Sequence, residues 1–185
     1  VIKDGVTYSA ANVDKSWIGT NARGLFEGKT GCLVRLTNDA DAAGLAEMTL
    51  GAGRGRSGVV FVLTLGTGIG SAVFVDGLLM PNTELGHLLM RVRSHGCVVA
   101  EHYASDRVRK EEGLKWGEWA ARLNKYLAML EALLSPDLFI FGGGVSKKHE
   151  KFLPLLGTRA HVVPAELRNE AGIVGAALAA RDMRL

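Results

Sequence analysis

The chain has 185 residues, 48% of them hydrophobic and 22% charged, with a formal net charge of +3. That is the size of one generous domain or two small ones, and it is too apolar for a disordered segment. Two cysteines far apart, Cys32 and Cys97, exclude a disulfide scaffold and a four-cysteine zinc site and fit a reducing cytoplasm.

The mild basicity permits a polyanionic partner without demanding one. No zinc-finger spacing and no aromatic-rich RNA-binding strand is visible, so nucleic acid is not expected. The apolar stretch at 171–180 is too short to span a bilayer, and no membrane partner is expected. The opening, Val1-Ile2-Lys3-Asp4-Gly5, has neither Met nor a signal-peptide pattern and reads like the interior of a longer sequence.

In chain order, residues 33–36 (LVRL) suggest a short strand. Residues 38–48 then read as a helix, with Asn38 or Asp39 able to cap its first turn. The glycine-rich run 51–58 (GAGRGRSG) reads as an exposed hinge between two lobes. The continuous apolar run 59–65 suits a strand buried on both faces. Gly66-Thr67-Gly68-Ile69-Gly70 interrupts it. Residues 71–75 and 78–80 flank Asp76-Gly77, a strong hairpin signal.

Residues 114–134 form the longest predicted helix. Trp116, Trp119, Leu123, Tyr126, Leu130 and Leu133 fall on one stripe, which reads as core packing, and Pro136 ends the run. Residues 138–141 are a second buried strand, closed by Gly142-Gly143-Gly144. A short strand at 162–163 and a helix over 171–183 complete an α/β pattern.

Three features carry chemistry. The run LTLGTGIG at 63–70 offers backbone N–H groups free of side chains, with hydroxyls from Thr64 and Thr67. It reads either as an anion cradle or as a tight hairpin; the Walker ending is missing. Gly142, Gly143 and Gly144 after a buried strand leave bare backbone for a ligand, or serve a sharp turn. The polar set is Asn38, Asp39, Glu84, His87 and Glu101. An Asp at a strand end accepts a proton from an alcohol. Glu and His three apart grip adjacent hydroxyls of a polyol, or pair with each other. His87, His95, Cys97 and His102 match no standard zinc spacing, so no metal ligands are assigned.

Taken together these motifs resemble the ROK family of sugar kinases, and within it the polyphosphate- or ATP-dependent glucokinases. The matching text includes Ala10-Ala11-Asn12-Val13-Asp14, Ser16-Trp17-Ile18-Gly19, NDADAAG at 38–44, VLTLGTGIGSA at 62–72, PNTELGH at 81–87, SPDL at 135–138, GGGVSKK at 142–148 and LRNEAG at 167–172. The resemblance implies an actin-like (RNase H-like), two-lobe α/β fold with sugar in the cleft. It implies a division into a small-lobe remainder at 1–56, a large lobe at 57–170 and a C-terminal helix at 171–185 returning to the small lobe.

It also implies roles: Asp39 as general base, with Asn38, Asn82, Glu84, His87 and Glu101 on the sugar. Thr64, Gly66, Thr67 and Gly68 would form a phosphate loop, and Gly142, Gly143 and Gly144 a nucleotide site. Phosphoryl transfer from polyphosphate or ATP to the 6-hydroxyl of glucose (or mannose) is the implied reaction, with Mg²⁺ as cofactor, a homodimer as the implied assembly and the cytoplasm as its place. A sugar-binding regulator without catalysis, or an inactive fragment, is the alternative. The sequence departs from the pattern twice. The family's Asp-x-Gly-Gly-Thr loop, which helps hold Mg²⁺, is not among its residues, so the opening strands of the first lobe are expected to be missing. Residues 88–97 keep only Cys97 where many members carry a Cys-rich zinc motif. Arg107, Arg109, Lys110, Lys147, Lys148 and Lys151 are candidate cations for a polyphosphate track.

Overall fold

The computed structural model describes residues 1–9, 14–94 and 96–181. Its first elements are an antiparallel pair, β1 (Ile2–Lys3) and β2 (Val6–Thr7), followed by helices α1 (Ala22–Thr30) and α2 (Asp39–Leu50). Asn38 caps α2, its side chain accepting the Asp41 N–H. Next come β3 (Val59–Leu65), β4 (Ile69–Val75) and β5 (Leu78–Met80). β4 and β5 are joined through Asp76 and Gly77, both at positive φ, as a two-residue hairpin requires.

A second antiparallel pair, β6 (Leu89–Val92) and β7 (Gly96–Val99), leads into short helices α3 (Glu101–Ala104) and α4 (Asp106–Glu111). The long helix α5 (Trp116–Leu134) precedes β8 (Leu138–Gly142), β9 (His161–Pro164) and α6 (Ala171–Arg181).

The main sheet runs β5-β4-β3-β8-β9, with β3 antiparallel to β4 and β8 parallel to both β3 and β9. Because side chains alternate along a strand, the apolar run of β3 serves two cores. Phe61, Leu63 and Leu65 join Trp119, Leu123 and Phe141 on the α5 side. Val60 and Val62 join Phe74 and Ile140 on the side where Leu45 and Met48 of α2 pack. The predicted stripe of α5 is core: Trp119, Leu123, Tyr126 and Leu130 are fully buried, while Leu133 at its end is exposed.

Two expectations are corrected. Residues 33–36 form no strand; Leu33 is 77% exposed and the Val34 N–H bonds instead to Glu27 Oε1 at 3.1 Å. A short run with no strand beside it has nowhere to place its backbone bonds in a ladder. The glycine run at 51–58 is not exposed throughout. Gly51 and Gly53 are buried, and the chain is held by Glu47, whose carboxylate accepts the Ala52 N–H (3.0 Å) and whose carbonyl accepts the Gly53 N–H (3.0 Å). Only residues 54–57 lie on the surface. Residues 10–13, His95 and Met183, which figure in the sequence reading, lie outside the described residues.

Helix α2, assigned from sequence to the smaller lobe, packs on β3 and β4 of the large sheet, and α6 packs on α2. The contact between the two helices is backbone to backbone. A Cβ on Gly175 would stand inside the Ala42 carbonyl group, whereas a Cβ on Gly172 would meet open space. Gly175→Ala is therefore expected to destabilise the fold by about 1–3 kcal/mol, lowering Tm by roughly 2–12 °C. Gly172→Ala should be neutral or slightly stabilising, since Ala is the better helix former. Thermal unfolding followed by circular dichroism checks the pair.

Candidate functional site

Helix α2 opens directly onto the glycine loop between β3 and β4. Asp39, its first residue, is exposed; Oδ1 accepts the Ala40 N–H at 2.9 Å, and Oδ2 takes no hydrogen bond among the described residues. The helix N-terminus favours a carboxylate there. Ala40 is buried against Gly70, where an added Cβ would lie 3.1 Å from the Ala40 Cβ and collide with the Thr64 hydroxyl. The absence of a side chain at position 70 thus lets the helix carrying Asp39 sit against the loop. Inside the loop the Gly66 N–H donates to the Gly68 carbonyl at 3.1 Å.

The Glu84–His87 segment reaches the same place through a 3₁₀ turn at Leu85–His87. Gly86 is buried so closely on Ile69 that a Cβ would strike the Ile69 carbonyl. Ser71 of β4 fixes the segment: its hydroxyl donates to the Thr83 carbonyl and accepts the Leu85 N–H at 3.0 Å. From α3, Glu101 Oε2 accepts the Ile69 N–H at 3.3 Å. A row of alternating acid and imidazole results. His87 Nδ1 lies 3.6 Å from Glu84 Oε2, His87 Nε2 lies 3.7 Å from Glu101 Oε1, and His102 Nε2 lies 3.6 Å from the same oxygen. These separations exceed hydrogen-bond length, which leaves donors and acceptors for the hydroxyls of a bound polyol.

Asn38, Asp39, Thr64, Gly66, Thr67, Gly68, Glu84, His87, Glu101 and Gly143 line one cleft of about 710 Å³, within the ~300–1,000 Å³ range of small-molecule sites. Its wall also includes Trp17 and Phe26, whose rings stack at 6.2 Å. Three residues named from sequence are not in that lining. Asn82 turns to the β1 strand instead, its amide bonding both backbone groups of Ile2 at 2.9 Å. Gly142 is the last residue of β8, and Gly144 opens the 3₁₀ run Gly144–Lys151. Of the three glycines, Gly143 is the one with φ 81° and the one whose missing side chain lets the backbone lie against Leu65.

Sequence reasoning missed Asp41, Ser71, Trp17 and Phe26. The NDAD and SWIG text contained two of them, but nothing in their spacing says which acid faces solvent or which ring meets a cleft. No group of three or more His, Cys, Asp or Glu side chains able to hold a metal ion occurs among the described residues. The residues present therefore do not form a cage for Mg²⁺. Cys32 and Cys97 are both free and exposed.

Asp41 is 2% exposed; Oδ2 accepts the Asn82 N–H at 2.9 Å and Oδ1 has no partner. Burial pushes its carboxyl up to about 6 from the ordinary 3.8, helped by the charges of Glu84 and Asp39 and opposed by the Asn82 N–H. Folding therefore takes up a proton between these two values, and the stability this gives is complete below the unfolded pKa and lost as pH rises through the folded one. Asp41→Asn keeps an acceptor for the Asn82 N–H but cannot titrate. Its Tm relative to the parent is expected to climb from about pH 4 to about pH 7, by an amount worth roughly 3 kcal/mol at most. A difference that stays flat across that window, measured by thermal melts, would contradict the assignment.

The sequence profile of the ROK family matches residues 1–112. Over 180 residues the chain is 51% identical to a polyphosphate glucokinase of Mycobacterium tuberculosis, covering 97% of this chain and 66% of that protein. It superposes on an inorganic polyphosphate/ATP-glucomannokinase from Arthrobacter sp. strain KM with TM-score 0.90 and 51% identity, covering 99% of this chain and 70% of that one. A ROK family glucokinase from Streptomyces griseus, in complex with glucose and AMPPNP, matches at TM-score 0.77 and 27% identity over 96% of this chain and 77% of that one. The chain spans about two thirds of the length of the Mycobacterium tuberculosis relative. Among the described residues no helix is long and apolar enough to cross a membrane. The profile match over more than half of the residues, and the close superposition over nearly all of them, mean that this chain belongs to the ROK family and has its α/β, actin-like sugar-kinase fold.

Proposed function

We propose that this chain carries the hexose and donor cleft of a kinase that moves a phosphoryl group from polyphosphate or ATP to the 6-hydroxyl of glucose. One observation carries the reading. A free carboxylate oxygen on Asp39, the row Glu84–His87–Glu101 and the glycine loop at 66–70 line a single cleft. Glucose, polyphosphate and ATP enter from the names of the relatives, and the cleft chemistry is what each would need.

In this reading Glu84, His87 and Glu101 hold the ring hydroxyls and the Trp17–Phe26 wall covers an apolar face of the sugar. Asp39 accepts the proton of the attacking hydroxyl as the new O–P bond forms. The bond from the transferred phosphorus to the donor breaks, and the shortened polyphosphate or ADP leaves. The Thr67 and Gly68 amides of the loop, with the Thr64 and Thr67 hydroxyls, receive the charge that builds on the phosphoryl oxygens. Gly143, set against Leu65, borders the donor end, where a nucleotide or a phosphate chain would lie. Mg²⁺ would enter with the donor phosphates.

Asp39→Asn separates the two functions of the cleft. Calorimetry of glucose binding is expected to stay within about threefold of the parent, since the amide preserves shape and most contacts. Turnover in a coupled glucose-6-phosphate assay, with ATP and with polyphosphate, should fall by roughly 10²–10⁴. Retention of turnover within a small factor would remove Asp39 as the base. A parent chain that binds glucose and transfers no phosphate would make it a sugar-binding module and overturn the kinase reading.

A further inference from the structure

We propose that Arg107 is a contact for the condensed-phosphate chain of the donor, a role that rests on the donor reading of the Gly66–Gly70 loop. The segment from α3 to α4 straps that loop at both ends. Glu101 Oε2 accepts the Ile69 N–H at 3.3 Å on the sugar side. At the other end the Arg107 N–H donates to the Gly66 carbonyl at 3.0 Å. Gly66 and Gly143 both line the cleft, and Gly143 lies on the backbone of Leu65, next to Gly66. A phosphate chain leading away from the hexose past Gly66 would pass the point where the Arg107 backbone is anchored, although Arg107 is not itself part of the cleft lining.

Arg107 belongs to a basic run, and its neighbours are already engaged. Arg109 Nε donates to Asp106 Oδ1 at 2.7 Å, with its guanidinium 4.1 Å from the centre of the Trp116 ring. Lys110 Nζ meets Asp106 Oδ2 at 2.7 Å. Both cations are thus spent on one acid that is itself buried. The Arg107 guanidinium makes no ion pair or hydrogen bond among the described residues, and its Nε is buried without an acceptor. A desolvated guanidinium N–H without a partner is unfavourable, and a phosphate chain supplies what it lacks. The rigid fork of donors matches two phosphate oxygens at once, and each inner unit of a polyphosphate carries a negative charge.

The test uses the full chain with tripolyphosphate, long-chain inorganic polyphosphate and ATP as probes, titrated calorimetrically at several salt concentrations. Arg107→Ala should weaken tripolyphosphate about tenfold and lower the slope of log affinity against log salt by about one. Arg107→Lys should restore the slope and only part of the affinity, because a point charge replaces the fork. Lys110→Ala should leave the affinity for all three phosphate probes unchanged, and both Arg107 variants should keep the parent's Tm and glucose affinity. An equal loss for ATP puts the contact on phosphates that the nucleotide also presents; a loss confined to the long chain, with tripolyphosphate unaffected, overturns the inference.

The inference is overturned if Arg107→Ala binds every phosphate probe as the parent does, or if Tm and glucose affinity fall with phosphate affinity, which would mark Arg107 as structural. If the parent binds glucose but no phosphate probe, the donor reading fails as well. If the parent binds both and Arg107→Ala is indistinguishable, this inference alone fails.

Discussion

The site depends on where α2 is held. The helix is gripped on two sides: Gly44 lies against Phe74 and Ala72 of the sheet, and α6 lies against the Ala42 backbone at Gly175. At its far end the buried Glu47 carboxylate accepts three backbone N–H groups, from Ala52, Glu166 and Leu167. A buried charge is costly unless it is fully hydrogen-bonded, so these three bonds fix its position as well as solvate it. One carboxylate thereby ties the turn after α2 to the segment before α6. With the body of α2 immobilised, its first residue, Asp39, is delivered to a defined point beside the glycine loop.

The rest of the cleft is assembled onto that fixed point by short polar links. Ser71 holds the 83–85 backbone, Asp41 holds Asn82, and Asn82 holds Ile2 of β1. Glu101 holds Ile69 at the loop's exit. Each link joins separate elements around the cleft. The groups that face the cleft include the free oxygen of Asp39, the row from Glu84 to Glu101, and the Thr67–Gly68 turn of the loop. Preorganisation of this kind is what makes fixed dipoles effective on developing charge.

Much of this was legible in the sequence because local rules and tertiary structure agree. The run at 59–65 is apolar at every position but one, and it is buried on both faces. Asp76-Gly77 demanded a two-residue turn and forms one, and Asn38 caps the helix that follows it. The stripe of α5 is the core it was expected to be. What failed had a tertiary cause. The LVRL tetrad at 33–36 has strand character but no neighbouring strand. The glycines at 51 and 53 read as freedom, yet they serve close approach to Glu47 and Met48. Of the three glycines at 142–144, only geometry could show that Gly143 is the one on the cleft. Asp39 and Asp41 are two residues apart and alike in sequence; the turn of the helix exposes one and buries the other.

The most direct measurement is a crystal structure of the chain soaked with glucose and tripolyphosphate. The account predicts the hexose between Glu84, His87 and Glu101, with its 6-hydroxyl within hydrogen-bond reach of the free Asp39 oxygen, and a terminal phosphate on the glycine loop at 66–70. Density for sugar or phosphate on another face, or a hexose whose 6-hydroxyl points away from Asp39, would contradict it.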